Sequence, residues 1–162
     1  RQYVKIPDRV VIKWNRGKNL LKDLLIKEEW NIAVRSRKDC IPLWKEGGVK
    51  EPFKVLRNTV RYWAADPFII EEKGKVYLFF EMFDRFLSKG VIGCREISDG
   101  KIGKMKIVYK ADKHLSFPFV FKYNNEFYMM PEYSEGKCLP LLKAIKFPDN
   151  GKLSAIGWKE KE

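Results

Sequence analysis

Two stretches of the chain repeat each other without a gap, and this repeat constrains the fold more than any other feature. Residues 66–81 and 117–132 share one order: Pro-Phe, two apolar residues, a polar turn, then an aromatic-rich strand that ends in Glu. Pro67 and Pro118 are 51 residues apart, which is about the length of one β-propeller blade. The repeat therefore predicts stacked sheets whose inner strand ends meet at a central axis, where propeller sites gather.

Each copy of the repeat predicts a β-hairpin. The predicted strands are 67–72, 75–82, 118–123 and 126–130. Lys73-Gly74 and Asn124-Asn125 separate the paired strands, and Gly and Asn tolerate the positive φ of tight hairpin turns. The strands are almost continuously apolar, as in Val76–Phe80, which is typical of sheets buried on both faces.

The pattern continues beyond each hairpin. Val91–Ile97 corresponds to Leu141–Phe147 as a third strand, and Met105–Tyr109 completes a fourth strand after a turn at Ser98–Lys101. The tail that follows residue 147 is weakly patterned. The predicted class is all-β, with two to three blades of four antiparallel strands.

The domain organisation follows from where this pattern begins. Residues 1–28 lack it and are predicted to be a lead-in segment or the end of a preceding domain. A strand is predicted at Trp30–Arg35, so residues 29–162 form a partial propeller domain. About three blades fit into 162 residues, whereas propellers have at least four. Further blades or a fused enzymatic domain are therefore expected outside the chain.

The net charge of +12 is compatible with an anionic partner such as nucleic acid, an acidic polysaccharide or a membrane surface. The positive residues are spread along the chain, however, which favours a solvated surface. No stacked-aromatic RNA motif is present, so nucleic acid is not the favoured partner. No apolar run approaches the roughly 20 residues of a membrane helix, and no membrane span is predicted.

Cysteine and histidine usage bears on metals and compartment. Cys40, Cys94 and Cys138 are far apart and odd in number, which fits neither a disulfide framework nor the close pairs of a zinc site. His114 is the single histidine, and no phosphate-cradling glycine loop is present. We therefore predict no metal, no cofactor, and a reducing, cytoplasmic compartment.

Three carboxylates are predicted to converge at one sheet edge. Asp66 opens the first hairpin and Glu81 closes it, and the start and end of an antiparallel hairpin lie together. Glu132 closes the next hairpin at the same edge. Convergent carboxylates suit glycosidic bond cleavage, with one acting as acid and another as base or nucleophile. Alternatively, Glu81 and Glu132 recur because they accept hydrogen bonds from backbone amides between blades, an explanation that does not apply to Asp66.

Aromatic and polar residues are predicted to line the same edge and to contact a sugar. They are Arg35, Trp63, His114 and Tyr133. Sugars stack on Trp and Tyr rings, and their hydroxyl groups bond to Arg, His and carboxylates. Core contacts explain Trp63 and Tyr133 equally well, and a structural role explains a lone histidine.

At these residues the chain resembles a known family. The matching motifs are Trp30–Arg35, Ala65–Phe68, Tyr77–Glu81, His114–Phe121 and Tyr128–Glu132. Their order resembles the N-terminal propeller domain of glucosamine inositolphosphorylceramide transferases and their bacterial relatives, which is similar to the five-bladed propeller of arabinanase-like glycosidases. The resemblance covers about residues 29–149 and implies a five-bladed fold with a carbohydrate-related role.

The resemblance also implies roles for individual residues. In arabinanase-like glycosidases an Asp-Pro at the start of an inner strand supplies the general base, and Asp66-Pro67 looks like that motif. The position that matches their general acid is Ser116-Phe117 here, which has no acid. In the transferases, glycosyl transfer belongs to a separate domain.

Three functions remain open from the sequence. The first is glycoside hydrolysis, with Asp66 as base, Glu132 as acid and Glu81 as a group that tunes the pKa or accepts a substrate hydroxyl. The second is a non-catalytic glycan-recognition module beside a glycosyltransferase or another enzyme. The third is a basic scaffold for protein or nucleic acid.

Overall fold

The computed structural model describes residues 29–35, 52–134, 139–147 and 157–160, the last four and Lys146 by their backbone. Within these ranges the chain is all-β, without helix. The strands are β1 (Ala33–Val34), β2 (Lys54–Val55), β3 (Tyr62–Glu72), β4 (Lys75–Asp84), β5 (Lys89–Ser98), β6 (Lys101–Ile102), β7 (Lys106–Tyr109), β8 (Leu115–Tyr123), β9 (Glu126–Tyr133), β10 (Leu142–Lys146) and β11 (Gly157–Glu160). The all-β prediction is confirmed. The proposed lead-in, residues 1–28, lies outside the described residues.

The strands form three antiparallel sheets. The small sheet pairs β1 with β2, the first large sheet has the order β3-β4-β5-β6 with β7 also paired to β5, and the second large sheet has the order β8-β9-β10-β11. Both predicted hairpins are present, as is the fourth strand of the first repeat. The weakly patterned tail also contributes a strand, β11. Blade number stays a prediction, since these sheets are fewer than five.

Both hairpin turns have the predicted backbone. Lys73 and Gly74 have φ of 51° and 73°, and Asn124 and Asn125 have φ of 48° and 62°. Two successive positive φ angles are the mark of the type I′ turn, whose twist matches that of the paired strands. The turn residues therefore set the register of both hairpins.

Strands β3 and β8 are longer than predicted because each contains a bulge at its Pro-Phe motif. The register shifts between Ala65 and Phe68 in β3 and at the equivalent place, between Ser116 and Phe119, in β8. Asp66 and Phe117, the residues before each proline, have φ of 49° and 46°. The bulge lets pairing continue past a proline, which has no N–H to donate to the ladder.

The third strand of the second repeat differs from its predicted alignment. Leu78 pairs with Arg95, whereas its equivalent, Met129, pairs with Leu142. Leu142 therefore occupies the place of Arg95, three residues away from the predicted correspondence. The pairing of this strand with the hairpin fixes the register. The similarity between the apolar runs 91–97 and 141–147 is not enough to predict it.

The first large sheet is buried on both faces, as its continuous apolar strands predict. On one face Tyr77 and Phe79 contact the second large sheet in a core with Leu115 and Met129. On the other face β4 contributes Leu78, Phe80 and Met82 to a second core that includes Ile32 and Leu56. Alternate residues of one strand therefore join two separate cores.

Candidate functional site

Two of the three predicted carboxylates meet where β3 and β4 pair. Glu81 is buried and lies opposite Ala65 in the ladder. Asp66 is the next residue, and the bulge brings its side chain into a hydrogen bond with that of Glu81. Glu132 occupies the equivalent position in the second large sheet, opposite Ser116, and its charge also acts on Glu81.

The surroundings of Glu81 change its acidity. Burial, followed by the negative charge and hydrogen bond of Asp66 and the charge of Glu132, raises the pKa of Glu81 from 4.5 to about 7. Each of these effects penalises a second negative charge. At neutral pH, Glu81 is therefore protonated in a large part of the molecules, and its O–H group donates the hydrogen bond to Asp66.

His114 lies against this carboxyl pair. Its Nε2 is 3.4 Å from Oε1 of Glu81, and its Nδ1 accepts a hydrogen bond from the backbone N–H of Gly90 at 2.9 Å. Since Nδ1 is an acceptor, the neutral ring carries its proton on Nε2, which faces Glu81. The backbone thus selects which ring nitrogen can donate.

The loop that carries His114 is held on both sides. From β5, Lys89 Nζ donates to the carbonyl oxygens of Ala111 at 2.8 Å and Asp112 at 2.9 Å. From β9, the hydroxyl of Tyr133 donates to the carboxylate of Asp112. Tyr133, predicted to contact a sugar, is therefore placed to anchor this loop.

Gly90 is a site residue that the sequence analysis missed. A Cβ on Gly90 would lie 2.3 Å from the carbonyl oxygen of Leu115, 2.9 Å from Oε1 of Glu81 and 3.0 Å from Cε1 of His114. Only glycine lets these three groups come so close. A glycine inside a predicted strand was the available signal, because such a residue often marks a close backbone approach.

An aromatic stack borders the cluster. Trp63 is stacked on Phe83, with ring centroids 4.6 Å apart and planes 13° apart. The ring of Phe83 lies in turn 6.0 Å from that of His114. Trp63 is half-buried, so one part of its ring remains available to a ligand while the other is fixed by Phe83.

Glu132 has surroundings unlike those of Glu81. Its side chain is exposed and accepts a hydrogen bond from the Ser116 hydroxyl at 3.2 Å. It borders an open, mainly apolar groove that is also lined by Phe117, Phe119, Met130 and Leu139. The raised pKa of the buried Glu81 is a property that a general acid requires, and the role of Glu132 as the acid stays a prediction.

Arg35 adjoins the small sheet, whereas the other predicted site residues belong to the two large sheets or the loop between them. It follows β1 of the small sheet, and its guanidinium lies over the ring of Phe53 at 5.1 Å. Within the described residues, no set of three His, Cys, Asp or Glu side chains is placed to hold a metal ion. Cys94 is a buried free thiol, while Cys40 and Cys138 lie outside the described residues.

The side chains at this edge of the large sheets can both accept and donate hydrogen bonds. Asp66 and Glu132 provide acceptors, the protonated Glu81 and His114 provide donors, and Trp63 adds an aromatic face. These are the groups that fix sugar hydroxyls and ring faces.

The chain is therefore an all-β protein of stacked antiparallel sheets, with a cluster of polar side chains at the edge where the strands are bulged. Residues 56–160, more than half of the chain, match the family described as glucosamine inositolphosphorylceramide transferase 1, N-terminal, and the chain belongs to that family.

The curated relatives are longer proteins. The chain is 42% identical over 96 residues to glucosamine inositolphosphorylceramide transferase 1 of Arabidopsis thaliana, a match that covers 58% of this chain and 12% of that protein. It is 42% identical over 88 residues to the protein of the same name from Oryza sativa subsp. indica, covering 53% of this chain and 12% of the relative. No solved structure matches the chain. No helix in the described ranges has the length and apolarity to cross a membrane.

Proposed function

We propose that this chain is a non-catalytic glycan-recognition module associated with a glycosyltransferase. The proposal rests on one observation: the cluster of Asp66, Glu81 and His114 offers hydrogen-bond donors and acceptors beside the half-buried ring of Trp63. Membership of a transferase N-terminal family supports the same function. Recognition requires only such convergent groups, whereas hydrolysis requires a separated acid and base.

The ligand class follows from the charge of the site. The carboxylates make this edge acidic, although the chain as a whole carries a net charge of +12. An amino sugar would place its ammonium group against Asp66 and Glu132, and its hydroxyl groups against Glu81 and His114. The relatives are named for glucosamine, and we propose an amino sugar of this kind as the ligand.

The proposal also includes the β-propeller fold that the sequence predicts, since this fold would position the site. Two successive antiparallel sheets with equivalent hairpins are stacked face to face, as neighbouring blades of a propeller are. We propose that these sheets are blades, that the site lies at their inner strand edge, and that the full propeller has the five blades implied by the resemblance.

Saturation-transfer NMR with glucosamine, and with glucose as its neutral analogue, tests the proposed function. We expect glucosamine to bind more tightly than glucose, and Trp63→Ala to abolish the signal. Trp30→Ala is the matched control, because Trp30 is 60% exposed and only its backbone carbonyl accepts the hydrogen bond from Asn58. Equal signals from the two tryptophan variants would contradict the proposal.

A parallel assay for released sugar separates recognition from hydrolysis. With aryl glycosides and oligosaccharides as substrates, we expect no turnover by the unmodified chain. Turnover that disappears in Asp66→Asn would identify a glycosidase and would overturn the recognition proposal. Binding of nucleic acid would instead weaken steeply with salt.

A further inference from the structure

We infer that the turn between β4 and β5 binds an anionic lipid surface by inserting the side chains of Phe86 and Leu87. This turn, residues 85–88, is the apolar tip of the first large sheet. The contact is with one face of a bilayer and requires no membrane-spanning segment. The inference concerns a turn beyond the polar cluster and does not depend on the proposed glycan binding.

The apolar tip differs in residue type from three other hairpin turns of the chain. Those turns carry Lys73-Gly74, Asp99-Gly100 and Asn124-Asn125, and glycine and polar residues of this kind are what exposed turns favour. In the apolar tip, Phe86 and Leu87 are 73% and 64% exposed. Two large apolar side chains held in solvent at a turn indicate an interaction surface.

The conformation of the tip is fixed without help from these two side chains. The carboxylate of Asp84 accepts hydrogen bonds from the backbone N–H groups of Phe86 at 3.0 Å and Leu87 at 3.3 Å. Its other oxygen accepts from Arg61 Nε at 2.8 Å. Because the turn is already ordered, little conformational entropy is lost when the tip enters another phase.

The exposed apolar surface extends to the segment before β3. The backbone N–H of Arg85 donates to the carbonyl oxygen of Arg61 at 2.9 Å, and the guanidinium of Arg61 lies 5.9 Å from the ring centroid of Phe86. The preceding residue, Val60, is 89% exposed. The backbone contact therefore places a third exposed apolar side chain beside the tip.

The small size of this surface favours lipid over protein as the partner. A standard protein interface uses about 20–30 residues on each side, whereas the apolar side chains here are Val60, Phe86 and Leu87. Binding to a lipid surface instead scales with the apolar area inserted and with the electrostatic attraction to anionic headgroups. A few apolar side chains are sufficient where basic residues surround them.

Basic residues do surround the tip. Residues 57–61, 84–89 and 110–113 contain six basic and two acidic residues. Lys89 Nζ donates to the carbonyl oxygen of Ala111 at 2.8 Å, which holds the third of these segments against the tip. Even with Glu29, which pairs with Arg85, positive charge remains in excess. Anionic lipids attract such residues, whose long side chains keep their charges among the headgroups.

Co-sedimentation with vesicles tests the inference. We expect the 162-residue chain to bind phosphatidylcholine vesicles that contain phosphatidylserine more tightly than pure phosphatidylcholine vesicles. Phe86→Ser combined with Leu87→Ser should weaken this binding roughly tenfold or more, because it removes the inserted apolar area. Ile69→Ser combined with Tyr123→Ser is the matched control and should bind normally. Ile69 and Tyr123 are each 63% exposed and lie towards the hairpin turns at the opposite end of the sheets.

A fluorescent label reports on insertion directly. In a background with Cys40 and Cys138 replaced by serine, Leu87→Cys carries an environment-sensitive dye, while Cys94 is buried. We expect the emission to shift to the blue when vesicles with phosphatidylserine are added, and the same dye on Ile69→Cys to show no shift.

Three results would overturn the inference. The first is no binding of the unmodified chain to vesicles with phosphatidylserine. The second is equal binding by the two double-serine variants, or binding without a shift of the dye at residue 87, which would identify adsorption by charge alone. The third is a blue shift that grows with protein concentration in the absence of vesicles, which would identify a second copy of the chain as the occupant of the tip.

Discussion

Lys75 and Glu96 form a cross-strand ion pair in the first large sheet, with Nζ 2.8 Å from Oε1, and its counterpart in the second large sheet has the charges exchanged. There Lys143 lies 2.5 Å from Glu126. Glu126 stands in the repeat position of Lys75, and Lys143 pairs beside Tyr128 as Glu96 pairs beside Tyr77. The sheet therefore selects opposite charges at this pair but not their order.

This relationship predicts the outcome of a charge exchange. Lys75→Glu should lower the Tm, because it places a carboxylate beside that of Glu96 and directly opposite that of Glu72. The double variant with Lys75→Glu and Glu96→Lys should recover part of this loss, since the second large sheet already uses that order. Recovery stays partial because Glu72 still faces residue 75, where the second large sheet has the uncharged Tyr123 opposite Glu126. A double variant no more stable than the single one would contradict the equivalence of the two pairs.

Glu81→Gln should change how stability depends on pH. The pKa of Glu81 is raised to about 7 in the folded chain, so its contribution is complete below pH 4.5 and is lost as the pH rises towards 7. The loss amounts to about 3 kcal/mol. Because glutamine stays neutral, the variant should match the original chain near pH 4.5 and exceed its stability at pH 8. Urea unfolding at both pH values checks this, and a constant difference would refute it.

Gly90→Ala should destabilise the fold and disturb the site. The new methyl group would meet the backbone carbonyl of Leu115 at 2.3 Å, and backbone cannot move aside as a flexible side chain can. We expect a loss of about 3 kcal/mol in the free energy of unfolding. Gly103→Ala is the control, since its nearest contact would be 3.1 Å. Similar losses in the two variants would show that the close approach at Gly90 is unimportant.

Asp84→Asn should weaken the turn that follows β4. Asp84 accepts hydrogen bonds from Arg61 Nε at 2.8 Å and from the N–H groups of Phe86 and Leu87. These contacts, led by Arg61, lower the pKa of Asp84 below 3.8, so their stabilisation is present above that value and is lost as the pH falls. We expect a cost of about 2 kcal/mol at pH 7. Urea unfolding at pH 7 should show this cost, with Asp99→Asn, at an exposed turn position, as the silent control.

The hairpins were predictable from sequence because local residue types determine them. Lys73-Gly74 and Asn124-Asn125 dictate two positive φ angles, and the apolar run Val76–Phe80 dictates burial on both faces. That Asp66 and Glu81 lie close together also followed from hairpin geometry, whereas the bulge that brings the two side chains into contact did not. These features depend on contacts between residues that are close in sequence.

The rest depends on contacts between distant segments. The raised pKa of Glu81 requires its burial, together with the charges of Asp66 and of Glu132 in the other large sheet, and the residues next to Glu81 in sequence do not reveal that burial or the approach of Glu132. The position of His114 is set by Gly90, 24 residues away. The alignment of Leu142 likewise requires knowing which residue it pairs with. The sequence pattern identifies the strands, whereas the register of the third strand and the pKa of Glu81 depend on how the strands and sheets pack together.

The bulges at Asp66 and Phe117 have a consequence for variation within the repeat. Each bulged residue lies outside the regular alternation of the ladder, so it is freed from the requirement to be apolar on a core face. One repeat places a carboxylate there and the other a half-exposed aromatic ring. Each large sheet thus has one position at its bulged edge where the type of side chain can change while the hairpin that carries it stays the same.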